Sequence, residues 1–466
     1  MNFEEKYFKY KNKYFELKKQ SGGSSMTDNL ENLNFFFNFN KIKDIFFNKY
    51  DFYDYNLILP PVNNLGEPSQ NGFINKLIFK NKSDNKNFAL IMKTSIIKSA
   101  DNNYYEFVVG NCINKLKNYF PNFVYTFRFM NLSSSLKEEL KKGNFTNVKQ
   151  FEETESKEND IDENNLMSYY NVGKGCKNND KSSILIEHIP NSLNINELLN
   201  DPTFIKNKNI EIYNILFQVY IVLSSLKEIY THYDLHYNNI MYVKIPNDKI
   251  VSINYTINNN VYNISTHFIP VIIDYGRSHI NCLKIGDKFD SSLINSKIYS
   301  EIVCENPNCN SKNLPSCDSK DVGLGIDRNS FEYYSNLDYF SYIDIRHPNQ
   351  SSDLRFINLL MTKLENNLPI KLKYESKFDG YWLGPNDKSV HLDTKTNLLY
   401  NIKERPSNFN ILNKISTTTD CISWLISLYN ETYKNENIVN ELKYGSMNIN
   451  SDINKKIKWT FEPSSA

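Results

Sequence analysis

From about residue 57 the chain alternates short apolar runs with polar turns. "NGFINKLIFK" and "FALIMKTS", separated by "NKSDNKN", read as two strands and predict an antiparallel pair or meander. The period then changes. In "DNNYYEFVVGNCINKLKNYF", Tyr105, Val108, Val109, Cys112, Ile113 and Leu116 fall at i, i+3, i+4, i+7, i+8 and i+11, one face of an amphipathic helix that Asp101 is placed to cap. "NFVYTFRFM" after Pro121 predicts another strand, and "SSILIEHIPNSLNINELL" predicts a strand, a turn and a short helix. The stretch 209–230, "NIEIYNILFQVYIVLSSLKEIY", is apolar on nearly every side, the pattern of a helix deep in the fold. A hairpin in "KIVSINYTINNNVYNIS", a strand in "FIPVIIDYG", a long loop to about residue 345 and further helices to the C-terminus complete the pattern. No internal repeat of about 20 to 50 residues is visible.

Two segments lack apolar periodicity. Residues 1–25 read as a charged helix ending in a Gly/Ser hinge, "SGGSS", and residues 131–181 as a polar surface insertion, largely disordered. The Asn, Lys, Ile, Tyr and Phe bias reads as the codon usage of an AT-rich genome. Across 466 residues, 54 Lys and Arg balance 53 Asp and Glu, so no excess charge points to nucleic acid or an anionic membrane as partner. No apolar run approaches the roughly 18 to 20 residues that span a bilayer. The N-terminal stretch has no apolar secretory core, which predicts a reducing, intracellular compartment. The seven cysteines are dispersed except for Cys304, Cys309 and Cys317, so a disulfide scaffold is not expected.

Candidate chemistry concentrates in "IYTHYDLHYNNIMYV", residues 229–243. His232 and His236 have the H-x3-H spacing of a zinc site, and Asp234, Asn238 and Asn239 have the composition of an ordinary polar turn. Phosphoryl transfer accounts for more residues. It needs a carboxylate to align the acceptor hydroxyl, a carboxylate and an amide to hold Mg2+, and a lysine on the phosphates. Asp234 supplies the first, Asn239 and Asp274 of "VIIDYG" the metal ligands, and a strand lysine lies upstream.

"HYDLHYNNI" followed by "IIDYG" resembles the catalytic loop and metal-binding turn of the protein-kinase-like superfamily, with Tyr275 where that family has Phe. The resemblance implies that Lys93 of "LIMK" is the phosphate-positioning lysine, that Ile91 covers the adenine, and that Glu106 on the helix pairs with Lys93. It implies a glycine loop at Gly72, with Gly66 less well matched, and an adenine-binding hinge at about Glu187 and Ile189 in "ILIEHIPNSL". Asp353 of "NQSSDLRFINLLM" matches the aspartate that braces the catalytic loop, and the likeness covers roughly residues 57 to 435 with gaps. Tyr233 stands where the family has Arg, which removes the receptor for a phosphorylated activation loop. His236 replaces a lysine, as in aminoglycoside and choline kinase-like relatives, and would contact the γ-phosphate with a charge that varies near neutral pH. No A-P-E follows the metal turn. The N-terminal helix, the D-L-H loop and "IIDYGRS" resemble kinase-like proteins of giant DNA viruses, a setting that implies host cytoplasm or virion and cleavage at Gly22-Gly23.

The expected fold is therefore α+β and bilobal: a small antiparallel-sheet N-lobe with one helix over residues 26–190, and a larger, mainly helical C-lobe over 191–466. The C-lobe is expected to carry an extra hairpin at 246–267 and a long activation-like segment at 274–345. The expected function is ATP- and Mg2+-dependent phosphotransfer, first of all to Ser or Thr of a protein. A small hydroxyl acceptor and an inactive pseudokinase scaffold stand as alternatives. Cys304, Cys309 and Cys317, with Cys282 or His279, are candidate ligands for a zinc ion.

Overall fold

The computed structural model describes residues 55–57, 63–64, 72–81, 87–95, 102–131, 182–286, 290–292, 295, 345, 348–350, 352–364, 390–393, 398–401, 417–434 and 441–464. These fall into two compact units, one within 1–111 and 125–191 and the other within 112–124 and 192–466. The N-terminal helix, Gly22-Gly23, Gly66, Asp101, Cys304, Cys309, Cys317, and the insertion beyond Asn131 lie outside the described residues.

The first unit is a sheet with one helix. Its strands are β1 (Tyr55–Leu57), β2 (Asn63–Asn64), β3 (Gly72–Asn81) and β4 (Asn87–Ser95). Helix α1 (Asn102–Leu116) follows and passes residues from Cys112 onward to the second unit, and β5 (Thr126–Asn131) and β6 (Ser182–Glu187) close the sheet. The order is β1-β3-β4-β6-β5, with β2 also on β3, and every pairing is antiparallel. Alternation sets the faces: Phe73, Asn75 and Leu77 of β3 are buried while Ile74 and Ile78 are exposed. All six periodic apolar positions of α1 are buried. Gly110 lets the helix backbone close on β5, since a Cβ there would meet Thr126 Oγ1 at 2.1 Å.

The second unit is mixed. It opens with β7 (Ser192–Leu193), α2 (Ile195–Leu199), α3 (Pro202–Lys206) and α4 (Lys208–Ser225). Asn194 and Glu197 form a capping box on α2, and Asp201 caps α3 ahead of Pro202. Strands β8 (Tyr230–Thr231), β9 (Ile240–Lys244), β10 (Ile250–Ile257), β11 (Asn260–Thr266), β12 (Phe268–Ile272) and β13 (His279–Ile280) follow. Then come α5 (Arg355–Lys363), β14 (Val390–Asp393), β15 (Leu398–Asn401), α6 (Thr418–Leu428), β16 (Lys443–Asn450) and β17 (Thr460–Pro463).

Helix α4 is buried from Glu211 to Leu223 and still carries three polar side chains inward. Glu211 accepts from Thr266 Oγ1 and from the His267 N–H, Asn214 donates to the Ser265 carbonyl, and Gln218 donates to the Phe268 carbonyl. These polar rungs at i, i+3 and i+7 fix the helix against the link between β11 and β12, which satisfies backbone groups that burial would otherwise strand.

The expectation of helices to the C-terminus is corrected, since the last described elements are strands. Chain end and inserted hairpin build a four-stranded sheet, β11-β10-β16-β17, in which β16 runs parallel to β10. Buried positions in β16 are Gly445, Met447 and Ile449, a period of two whose amplitude is weak because one of the three is glycine. That glycine is required by packing, since a Cβ at Gly445 would meet the Phe461 ring at 2.4 Å. Among the described residues no helix is long and apolar enough to cross a membrane.

Buried His267 ties α4 to the start of the C-terminal sheet. Its Nδ1 lies 2.6 Å from Glu211 Oε1, its Nε2 meets Glu441, and Lys206 sits 3.0 Å from Glu441. Burial alone would lower the imidazole, but the two carboxylates outweigh it and raise its pKa. A raised folded pKa stabilises fully below the unfolded value of about 6.5 and loses that contribution as pH rises through the folded pKa. Melting curves are therefore expected to show stability falling as pH rises above about 6.5, and His267→Gln is expected to cost about 2 kcal/mol at pH 6 and to flatten that slope.

A disulfide joins Cys112 of α1 to Cys282, with Cα atoms 5.7 Å apart, where dispersed cysteines gave no expectation of a disulfide scaffold. It also removes Cys282 from the candidate zinc set. The partners are 170 residues apart, a separation no spacing motif reveals. Non-reducing peptide mapping should recover the Cys112 and Cys282 peptides as one species that reduction splits.

Candidate active site

In the first unit, Lys93 of β4 and Glu106 of α1 form an ion pair, Nζ to Oε2 at 2.6 Å, with Glu106 2% exposed. Glu106 points inward because it shares the helix face of Val109 and Ile113. Register places Lys93 between Ile74 of β3 and Ile184 of β6, and Ile91, two residues earlier, lies on the same face of β4. Gly72 starts β3 opposite Ser95. Glu187 ends β6, where its N–H donates to the Tyr125 carbonyl at 2.8 Å and its carboxylate accepts the Tyr125 N–H at 3.0 Å. Ile189 is buried just beyond it.

In the second unit, pairing of β9 with β12 sets the site. The register Ile240 to Ile272 brings the residues that flank those strands together, so Asn239 lies beside Ile273 and its carbonyl accepts the Ile273 N–H at 3.0 Å. The Asn239 side-chain amide donates to the Asp234 carbonyl at 2.9 Å. Asp234, Asn239 and Asp274 are thereby gathered by backbone geometry. Asp353 holds the loop from below: its carboxylate accepts the His232 N–H at 2.9 Å and the Tyr233 N–H at 3.0 Å. Burial pushes the Asp353 carboxyl up to about 7, against the pull of those two donors. Tyr233 at φ +62° and Asp274 at φ +66° are left-handed, and the tyrosine is buried, so the surroundings must hold it in a conformation that costs about 1–2 kcal/mol.

His232 is spent on structure. Its Nδ1 accepts the Asp234 N–H at 3.3 Å and its Nε2 lies 2.8 Å from the Ile273 carbonyl, which fixes the tautomer and leaves neither ring nitrogen for a metal. His236 accepts the Asn238 N–H through Nδ1 and keeps Nε2 3.9 Å from Asp234 Oδ1. Burial pulls the His236 imidazole down to about 4, so its neutral form holds across the physiological range, a correction to the expected titration near neutrality. The H-x3-H zinc reading is not met.

Asp234 is bracketed by two arginines, Arg277 of "IIDYGRS" and Arg355 of "NQSSDLRFINLLM". Arg355 Nη1 lies 2.5 Å from Oδ1 and Arg277 Nη1 3.2 Å from Oδ2. Burial would raise the Asp234 carboxyl, but the two guanidinium groups outweigh it and hold it below the ordinary carboxylate range. Their legible signal is position: Arg277 follows Asp274 by three residues and Arg355 follows Asp353 by two.

For a metal held here, the donors would be oxygens, which suit Mg2+ rather than zinc: Asn239 uses its amide nitrogen on the Asp234 carbonyl, and Asp274, an exposed carboxylate residue, follows Ile273. Two hard oxygen ligands are what Mg2+ takes from a protein when phosphates and water complete its shell. Among the described residues no group of three or more His, Cys, Asp or Glu is placed to hold a metal.

No protein-family model matches the chain, and no curated protein matches it. Among solved structures it is similar to one described as a kinase domain, at 14% identity and a TM-score of 0.23, over 56% of this chain and 64% of that chain. The likeness is distant and spans less than two thirds of that structure.

Proposed function

We propose that the chain is an ATP- and Mg2+-dependent phosphotransferase of the protein-kinase-like kind, with a hydroxyl, first of all Ser or Thr of a protein, as acceptor. The observation that carries this reading is the gathering of Asp234, Asn239 and Asp274 by the Asn239 bonds to Asp234 and Ile273. In the other unit, the ion pair of half-buried Lys93 with buried Glu106 is the phosphate-positioning group on this reading.

In this mechanism the acceptor oxygen attacks the γ-phosphorus and the bond to the β-phosphate oxygen breaks. ADP leaves with the electron pair, and the hydroxyl proton passes by way of Asp234 to solvent. Bound at Asn239 and Asp274, Mg2+ would neutralise charge on the phosphates. Asp234 is a weak base, as its arginines hold it ionised, which suits a loose transition state in which alignment matters more than proton affinity. Gly72, Ile91, Glu187 and Ile189 are assigned to the nucleotide, and His236, neutral, to donating a hydrogen bond to the transferred phosphoryl group.

Radiolabelled ATP, with and without Mg2+, on protein and small-molecule acceptors tests the proposal. Mg2+-dependent label in an acceptor is the expected result. Nucleotide binding without turnover would favour the scaffold reading, and neither binding nor turnover would end the proposal.

A further inference from the structure

We propose that the hydroxyl of Tyr275 is a latch that sets the aim of Asp274, which makes Tyr275 a positioning residue for the metal ion. This rests on the phosphotransfer reading of the same site.

Tyr275 is 1% exposed, whereas Asp274 directly before it is exposed. A hydroxyl at that depth is costly unless it is hydrogen-bonded. Main-chain groups satisfy it. The oxygen accepts the Val124 N–H at 2.8 Å and donates its proton to the Val124 or the Ile272 carbonyl, each 3.0 Å away. These groups belong to two stretches of the second unit. Ile272 ends β12, and residues 122–124 lie alongside it. Phe123 bridges Ile272 in the parallel sense, the Ile272 N–H donates to the Asn122 carbonyl at 2.8 Å, and the Val124 N–H reaches the Ile272 carbonyl at 3.3 Å. The Tyr275 ring packs edge-on against Phe123, with centroids 6.4 Å apart. The chain thus leaves β12 at Ile272, passes Asp274, and is pinned back onto the same place by Tyr275.

The pinning bears on Asp274 because that residue has φ +66°, a left-handed backbone that residues with a Cβ avoid. Its neighbours on both sides must hold it there. Before it, the Ile273 N–H donates to the Asn239 carbonyl at 3.0 Å, and His232 Nε2 lies 2.8 Å from the Ile273 carbonyl. After it, the Tyr275 hydroxyl holds the side chain and the Ser278 N–H holds the Tyr275 carbonyl at 3.0 Å. A phenylalanine fills the same space without the oxygen, and the Val124 N–H keeps its longer bond to Ile272. The fold survives and the latch opens. Asp274 then relaxes toward negative φ, which re-aims its carboxylate and weakens its hold on Mg2+.

ATP carrying a ribose-linked anthraniloyl fluorophore, titrated onto the full chain over a series of free Mg2+ concentrations, reads the effect without turnover. Mg2+ is expected to tighten nucleotide binding by wild type. In Tyr275→Phe the Mg2+ concentration that gives half of this tightening should rise about tenfold, with affinity in EDTA unchanged. In an Asp274→Ala background the same substitution should add nothing, since the latch acts through Asp274. A lower melting temperature with an unchanged Mg2+ requirement would make the hydroxyl a structural bond only and overturn the inference. A full effect in the Asp274→Ala background overturns it as well. Wild type whose nucleotide affinity ignores Mg2+ defeats the phosphotransfer reading, and the inference with it. If Tyr275→Phe does not fold, hydrogen exchange in wild type decides. Mg2+ with the nucleotide should slow exchange of the Val124 amide about tenfold relative to nucleotide in EDTA, and equal exchange overturns the latch.

Discussion

Asp234→Asn is expected to lower phosphoryl transfer by about 10²–10⁴-fold while leaving ATP binding little changed. The substitution keeps shape and removes the negative charge that aligns the hydroxyl and receives its proton. It also removes the carboxylate that Arg277 and Arg355 contact. Asp274→Ala is expected to act differently, because Asp274 is exposed and its loss should appear as a need for more Mg2+ rather than as lower stability. The pH profile carries a sign as well. The active form of Asp234 is ionised, and its pKa lies below the ordinary carboxylate value of about 3.9, so the acid limb of kcat should fall below that value. Undiminished transfer by Asp234→Asn would remove Asp234 from the mechanism.

Periodicity made the first unit's sheet, its helix and the long buried helix legible, because each shows a strong period of two or 3.6, or an apolar run too long for a strand. "HYDLHYNNI" and "IIDYG" similarly marked residues that the β9/β12 pairing brings side by side. What escaped the sequence were relations between distant positions of ordinary appearance. Cys112 looked like one more apolar helix position, yet it is bonded to Cys282. Glu211, Asn214 and Gln218 interrupt a helix that reads as wholly apolar, and only their partners at 265–268 explain them. Strand β16 pairs with a strand far upstream, and parallel pairing leaves no local turn to announce it. Arg277 and Arg355 sit beside recognisable motifs, but a side chain's target is set by tertiary geometry.

Asp353→Ala should be the most damaging single change outside the residues that touch substrate. The carboxylate is 2% exposed and accepts two backbone N–H groups, those of His232 and Tyr233. Each buried donor left without an acceptor costs about 1–3 kcal/mol, so a loss of about 4 kcal/mol is expected in chemical denaturation. The effect on activity should exceed the effect on folding. Tyr233 is held at φ +62° directly before Asp234, and the Asp353 bond to its N–H opposes relaxation of that backbone. Released, Tyr233 is free to return to a negative φ, which re-aims the next residue, Asp234, and breaks its contacts with both arginines. Asp353→Asn should fall between, because an amide oxygen can accept one N–H while its NH2 opposes the other. Turnover measured at a temperature where the variant remains folded separates the two effects. If Asp353→Ala loses stability but keeps its rate per folded molecule, Asp353 braces the unit and has no part in aiming Asp234.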